Sequence, residues 1–197
     1  MTVTLERVCV YCASNDGRRP EYALAARQLG TLIARRGSAL VYGGGGSGLM
    51  GALADAALDA GGEVIGVMPH ALVQREAAHQ RLTALHVVDS MHERKAMLAE
   101  LADAFVVLPG GLGTLEEFFE TWTWAQLGVH HKAVGLLNVE QYWQSLMTML
   151  EHVEAEGFLR GTPSEWLVMD ADPATLLDRL ESFTPPPVRR WLTLHDT

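Results

Sequence analysis

The sequence predicts a single-domain α/β protein built on an open, mainly parallel sheet of about seven strands with helices on both faces. Three observations carry this expectation. Short apolar runs alternate with longer segments of helical period along the chain. Two glycine-rich turns each lead from a predicted strand into a predicted helix, as crossover connections between parallel strands do. The 197 residues, 48% hydrophobic and 20% charged, suit one globular core of ordinary size.

Taken in order, the first strand is expected over 7–13, where every residue after Arg7 is small or apolar. A helix follows over 20–36, opened by Pro20 in its first turn and closed by Gly37. The second strand occupies 39–42, and the alanine-rich segment 48–60 forms a helix stopped by Gly61 and Gly62. Strands over 63–68 and 84–88 precede a helix over 90–101. The strands over 104–108 and 133–137 lead into helices over 114–127 and 141–156. A strand over 166–169 and a helix over 173–183 complete the domain, taken as residues 1–184. Pro185, Pro186 and Pro187 stop that helix, and the tail 185–197 offers Trp191 and Leu192 for docking on the body or on a neighbour.

Bulk properties exclude several classes of function. A net charge of −9 argues against a polynucleotide partner, which requires a basic patch to displace counterions. No run approaches the roughly 20 unbroken apolar residues of a membrane helix, and residues 1–6 lack the basic-then-apolar pattern of a leader, so a cytoplasmic location is the default. Cys9 and Cys12 spell C-x-x-C, a spacing used by redox and metal sites. On a strand, however, positions three apart face opposite ways, which makes the pair small strand hydrophobes. The eight histidines form no H-E-x-x-H or four-ligand pattern, so neither a metal nor a cofactor is expected.

In open parallel sheets the ligand lies beyond the carboxyl ends of the strands, where segments 42–51, 90–95 and 109–117 gather. The run Gly43-Gly44-Gly45-Gly46-Ser47-Gly48-Leu49-Met50-Gly51 reads as an anion loop whose amides face a phosphate, with Gly44, Gly45, Gly46 and Gly48 as its donors. It matches G-x-G-x-x-G, but the acid expected about 20 residues on is replaced by Met68-Pro69-His70, and no Gly-Lys-Ser/Thr follows. An NAD-dependent oxidoreductase is thereby disfavoured. The purely structural alternative, glycines for a tight turn, explains one or two of them.

Pro109-Gly110-Gly111-Leu112-Gly113-Thr114-Leu115-Glu116-Glu117 is the second such loop, with Thr114 as expected N-cap. Thr114 and Glu117 also fit a capping box, the competing reading for Glu117. In that first turn the helix dipole would keep Glu117 ionised at neutral pH. Ser90-Met91-His92-Glu93-Arg94-Lys95 opens another helix with its own capping box, yet Arg94 and Lys95 oppose the dipole there. A bound anion would compensate them, and a solvated surface pair is the alternative. His130 and His131 read as solvated loop residues; of Trp122 and Trp124, two apart on a helix, one is expected in the core and one at a pocket or interface.

Together, Gly44-Gly45-Gly46-Ser47-Gly48-Leu49-Met50-Gly51, Met91-His92-Glu93-Arg94-Lys95 and Pro109-Gly110-Gly111-x-Gly113-Thr114-x-x-Glu117 resemble the LOG family, the cytokinin riboside 5'-monophosphate phosphoribohydrolases. Val10-Tyr11-Cys12-Ala13-Ser14, Met68-Pro69 with Arg75-Glu76, Thr123-Trp124-Ala125-Gln126-Leu127-Gly128 and Val134-Gly135-Leu136-Leu137-Asn138 extend the likeness over most of the chain. The run Gly43 to Gly46 carries one glycine more than the resemblance leads one to expect.

The resemblance implies a Rossmann-like fold, a homodimer or larger oligomer with its site near the interface, and hydrolysis of a purine nucleoside 5'-monophosphate to free base and ribose 5-phosphate. It places the catalytic arginine on Arg94 and the catalytic glutamate on Glu117. Glu76, Lys95, Gly110, Gly111, Gly113, Thr114, Glu116 and Thr123 fall on substrate-contacting positions. The family's frequent label, lysine decarboxylase, has no support in the residues, since neither Lys95 nor Lys132 sits in a setting for a pyridoxal phosphate Schiff base. Glycosidic cleavage builds positive charge on the sugar, so a carboxylate both stabilises it and activates water. Glu117 is the first choice and Glu116 the second, with Asp16 or His92 as candidate acid for the departing purine. The alternative is a non-catalytic nucleotide or molybdenum-cofactor-type carrier or sensor, for which an Arg94 and Glu117 pair is unnecessary.

Overall fold

The computed structural model describes residues 4–73, 78–159 and 161–188. Strands β1 (Arg7–Tyr11), β2 (Ala39–Tyr42), β3 (Val64–Pro69), β4 (Ala84–Val88), β5 (Ala104–Val107), β6 (Ala133–Leu137) and β7 (Leu167–Asp170) form one sheet, in the order β4-β3-β2-β1-β5-β6-β7. All six pairings are parallel. The connecting helices are α1 (Pro20–Arg35), α2 (Gly48–Asp59), α3 (His70–Val73), α4 (Met91–Leu101), α5 (Leu112–Gln126), α6 (Gln144–Ala155), α7 (Pro163–Trp166) and α8 (Pro173–Ser182).

Apart from the edge strand β4, whose middle residues Leu85, His86 and Val87 are exposed, the strands are apolar at almost every position because both sheet faces are covered. On one face Val8, Val10, Leu40 and Val106 pack against Leu29 and Ile33 of α1, Leu53 and Ala57 of α2, and Leu176 and Leu180 of α8. On the other, Val41, Val67, Phe105 and Val107 meet Leu98 of α4, Phe118 and Trp122 of α5, and Leu150 of α6. Cys9 belongs to the second layer and Cys12 to the first, so the C-x-x-C pair is split across the sheet as strand geometry requires. Burial pushes both thiols well above their ordinary range.

Several expectations are corrected. The strand expected over 7–13 ends at Tyr11, since Cys12 and Ala13 leave the ladder to line a cleft. The helix expected from residue 114 starts at Leu112, because extended Gly111 serves as N-cap and its carbonyl accepts from Leu115 N–H at 3.0 Å. Thr114 is therefore inside the helix, and the Thr114–Glu117 capping box is not formed. Ser90 does cap α4, accepting from Glu93 N–H at 3.1 Å, but the Glu93 carboxylate reaches Asp89 N–H rather than closing a box on Ser90.

The helix expected over 141–156 is interrupted: Val139–Gln141 is a 3-10 turn in which Glu140 and Gln141 take φ of 51° and 58°, and regular helix begins only at Gln144. Helices α3 and α7 are additions; α7 is started by a Thr162–Glu165 capping box that spaces its residues as the motif demands. Trp122 and Trp124 are both buried in one layer, because α5 is enclosed on more than one side. His130 is buried as well: its Nδ1 accepts from Lys132 N–H, which leaves Nε2 to donate to the Thr121 carbonyl. Desolvation lowers its pKa to about 4, so it is a neutral core histidine. Trp191 and Leu192 lie outside the described residues. No described helix is long and apolar enough to cross a membrane.

Candidate active site

The chain runs from β1 towards β2 on one side and places β5 on the other, which opens a crevice at the carboxyl ends of this central pair. A cleft of about 320 Å3 lies there. Its floor is the chain leaving β1, residues Cys12, Ala13, Ser14 and Asn15. Gly111, Leu112, Gly113, Thr114, Glu116 and Glu117 from the start of α5 form one wall, facing Met50 of α2 and Met91 and Arg94 of α4.

Arg94 and Glu117 meet inside it, Nη2 to Oε1 at 3.3 Å, with side chains only 8% and 9% exposed. The solvated-pair alternative for Arg94 fails on this burial. Arg94 Nε is buried without a hydrogen-bond partner among the described residues, a donor left over for a ligand. Gly43 makes the arrangement possible, since a Cβ there would collide with Arg94 Nη2. Gly43, at the head of the first glycine run, is thus a seat for the guanidinium, a role invisible without the fold.

Glu117 sits in the second turn of α5, beyond the reach of the dipole argument. Burial raises its carboxyl, Arg94 pulls it back only in part, and Glu116 adds to the rise; the outcome is a pKa of about 7. The expectation of a firmly ionised carboxylate is corrected accordingly: near neutral pH Glu117 is a proton acceptor and donor of comparable readiness. Lys95 is also buried but turned away from the role of free anion receptor. Its Nζ contacts Glu116 at 2.5 Å and Glu120 at 2.9 Å. Burial presses its ammonium down, and these two carboxylates outweigh that and raise it.

Of the expected site residues, Arg94, Gly111, Gly113, Thr114, Glu116 and Glu117 line the cleft together. Gly110 stands behind them, packed against the Thr114 side chain. Thr123 is exposed and is not among the lining residues, and Glu76 lies outside the described residues. Gly44, Gly45, Gly46 and Gly48 do not line the cleft either. The Gly44 carbonyl accepts from His79 N–H, the Gly45 carbonyl from the Tyr42 hydroxyl, and Gly48, at φ +58°, packs directly on the backbone of Ser14 and Asn15. These glycines are used for close packing around the floor. Asp16 and His92 are exposed and away from the lining set. Sequence reasoning missed Ser14, Asn15 and Met50 as lining residues; only the position of the loop after β1 at the switch point could have signalled the first two.

Among the described residues no three His, Cys, Asp or Glu side chains gather as a metal site. Neither lysine amine singled out above is free: Lys95 is paired, and Lys132 Nζ caps the carbonyls of Ala99 and Glu100 at the end of α4.

Fold and site define a doubly wound, Rossmann-like α/β protein carrying a buried arginine–glutamate pair beside a glycine turn, where such sheets hold small ligands. Residues 50–180 match the family model described as "Possible lysine decarboxylase". The cytokinin riboside 5'-monophosphate phosphoribohydrolase of Rhodococcoides fascians is 52% identical over 157 residues, 79% of this chain and 79% of its own. A probable enzyme of the same name from Oryza sativa subsp. japonica is 47% identical over 182 residues, 92% of this chain and 74% of its own. One from Arabidopsis thaliana is 44% identical over 180 residues, 91% and 84% of the two chains. The chain belongs to this family, the LOG phosphoribohydrolases.

Solved structures add the fold alone. The molybdenum cofactor carrier protein of Chlamydomonas reinhardtii superposes with a TM-score of 0.67 at 20% identity, over 90% of this chain and 96% of that one. The molybdenum cofactor binding protein of Rippkaea orientalis gives 0.67 at 22%, over 89% and 95%.

Proposed function

We propose that the protein hydrolyses the N-glycosidic bond of a purine nucleoside 5'-monophosphate, of cytokinin type or AMP, to free base and ribose 5-phosphate. The observation that carries this is the buried Arg94–Glu117 pair in the cleft, which binding of a phosphate would not require. The names and high identity of the relatives support the same reaction.

In this reading the 5'-phosphate rests at the amino end of α5, whose first N–H groups have no side-chain cap. Arg94 grips the sugar or phosphate and turns binding energy into orientation. As the C1'–N bond breaks, its electron pair leaves with the purine and positive charge grows on the ribose ring. The Glu117 carboxylate faces that charge and takes a proton from the water whose oxygen bonds to C1'. Glu116 is the other carboxylate on the cleft wall. The same reading has the protein working in the cytoplasm as a homodimer or higher oligomer, a neighbouring copy covering Met91 and Leu112, which are 42% and 86% exposed at the rim.

Base release from AMP and from isopentenyladenosine monophosphate, beside the unphosphorylated nucleosides, tests the proposal. Release from the monophosphates alone is the expected result. Tight nucleotide binding with no base released would replace the hydrolase with a carrier or sensor.

A further inference from the structure

The turn between β6 and α6 holds the one stretch of described backbone where residues other than glycine take positive φ, Glu140 and Gln141 in succession. Left-handed backbone is strained for a residue with a Cβ, so two such residues together point to something the turn must hold in place. Tyr142 comes directly after them in the chain. Its ring stands edge-on to the buried Trp143 at 4.8 Å and to Tyr22 of α1 at 5.8 Å. Glu140 is tied to Arg19, just before α1, at 2.9 Å, and Asn138 Oδ1 accepts from Trp143 N–H at 2.9 Å. The strained turn is thus anchored on both sides, and the Tyr142 hydroxyl is delivered to a single acceptor, the Gly110 carbonyl, at 2.6 Å.

That carbonyl belongs to the peptide whose N–H is Gly111, the N-cap of α5 and part of the cleft wall. In a trans peptide the C=O and N–H point opposite ways, so fixing the carbonyl outward on Tyr142 fixes the amide inward. Among the described residues no hydrogen bond to the Gly111 N–H is present. Nothing covalent restrains this plane, since Gly110 and Gly111 are the two most permissive residues the loop could have.

We propose that Tyr142 is a positioning residue for phosphate recognition: by holding the Gly110 carbonyl from behind, its hydroxyl sets the Gly111 N–H as an anion donor in the cleft. The inference rests on the proposed function for the identity of the anion, but its test does not need turnover. Tyr142→Phe keeps the ring against Tyr22 and Trp143 and removes only the hydrogen bond; Tyr142→Ala removes both.

The experiment is calorimetric titration of the full-length protein and both variants with ribose 5-phosphate and with inorganic phosphate, alongside thermal unfolding and the kinetics of AMP hydrolysis. Tyr142→Phe is expected to weaken ribose 5-phosphate binding and raise KM about tenfold, with kcat within twofold and an unchanged unfolding midpoint. Tyr142→Ala is expected to lose as much affinity and to unfold at lower temperature. Equal ribose 5-phosphate affinity in wild type and Tyr142→Phe overturns the proposal and leaves Tyr142 a packing residue. Wild type that binds ribose 5-phosphate but releases no base from AMP or from isopentenyladenosine monophosphate defeats the hydrolase reading while the Phe comparison still decides the brace. Wild type that binds neither anion overturns the brace, while base release decides the hydrolase reading separately.

Discussion

At the scale of single residues the proposed chemistry turns on a carboxyl group whose charge is set by where it is buried. Glu117 has a folded pKa raised to about 7 from 4.5. The folded state therefore holds a proton that the unfolded chain releases between those values. Its stabilising contribution is complete below about pH 4.5 and is lost as pH rises through 7. The loss amounts to about 3 kcal/mol over the whole window. Denaturant unfolding of wild type and Glu117→Gln from pH 5 to 8 should show the balance moving towards Gln as pH rises; parallel curves would contradict the burial argument. The same titration predicts a hydrolysis rate that climbs through pH 7 as the base ionises. Gly43→Ala should drive Arg94 from its seat and cut activity about a hundredfold while the protein stays folded, as judged by circular dichroism and the unfolding midpoint. That Arg94 and Glu117 would lie beyond the strand ends was readable from their motifs, whereas their pairing and the proton affinity of Glu117 were not. Both arise from desolvation by elements distant in sequence, and the helix dipole alone suggests the opposite sign for Glu117.

The elements themselves were legible wherever a local signal is strong. Pro20 with Gly37, and Gly61 with Gly62, bracketed α1 and α2 to within a residue. The apolar runs located all seven strands, six of them because a sheet covered on both faces demands such runs, and the edge strand β4 despite its exposed middle residues. Errors gathered where chain geometry answers to tertiary contacts. Thr114 is a good cap by type, yet the close fit of Gly110 against it lets the helix begin two residues earlier. The segment 139–143 has helical composition and is broken by a turn that only its partners, Arg19 and Gly110, explain. Since Gln141 is exposed at φ 58°, Gln141→Gly should raise the unfolding free energy by about 0.5–1 kcal/mol. A higher denaturant midpoint would confirm that strain is held there, and a lower one would show that the glutamine side chain contributes more than its backbone costs.

Across the whole molecule, the class of fold followed from alternation, but the strand order did not, because pairings such as β1 with β5 join residues nearly a hundred positions apart. That pairing makes the site: it brings Ser14 and Asn15 opposite Gly111 and Glu117 and sets the arginine of α4 between them. The three segments expected beyond the strand ends do converge, the first supplying Met50 to the cleft, close packing around its floor and a seat for Arg94. The central claim is that this cleft breaks a glycosidic bond with Glu117 as its base. Its most direct test is single-turnover base release from saturating AMP by wild type and Glu117→Gln at pH 7.5, with AMP affinity measured on both. Comparable binding is expected, with a rate lower by about 10²–10⁴-fold in the variant. A Glu117→Gln protein that binds AMP and releases adenine at the wild-type rate would contradict it.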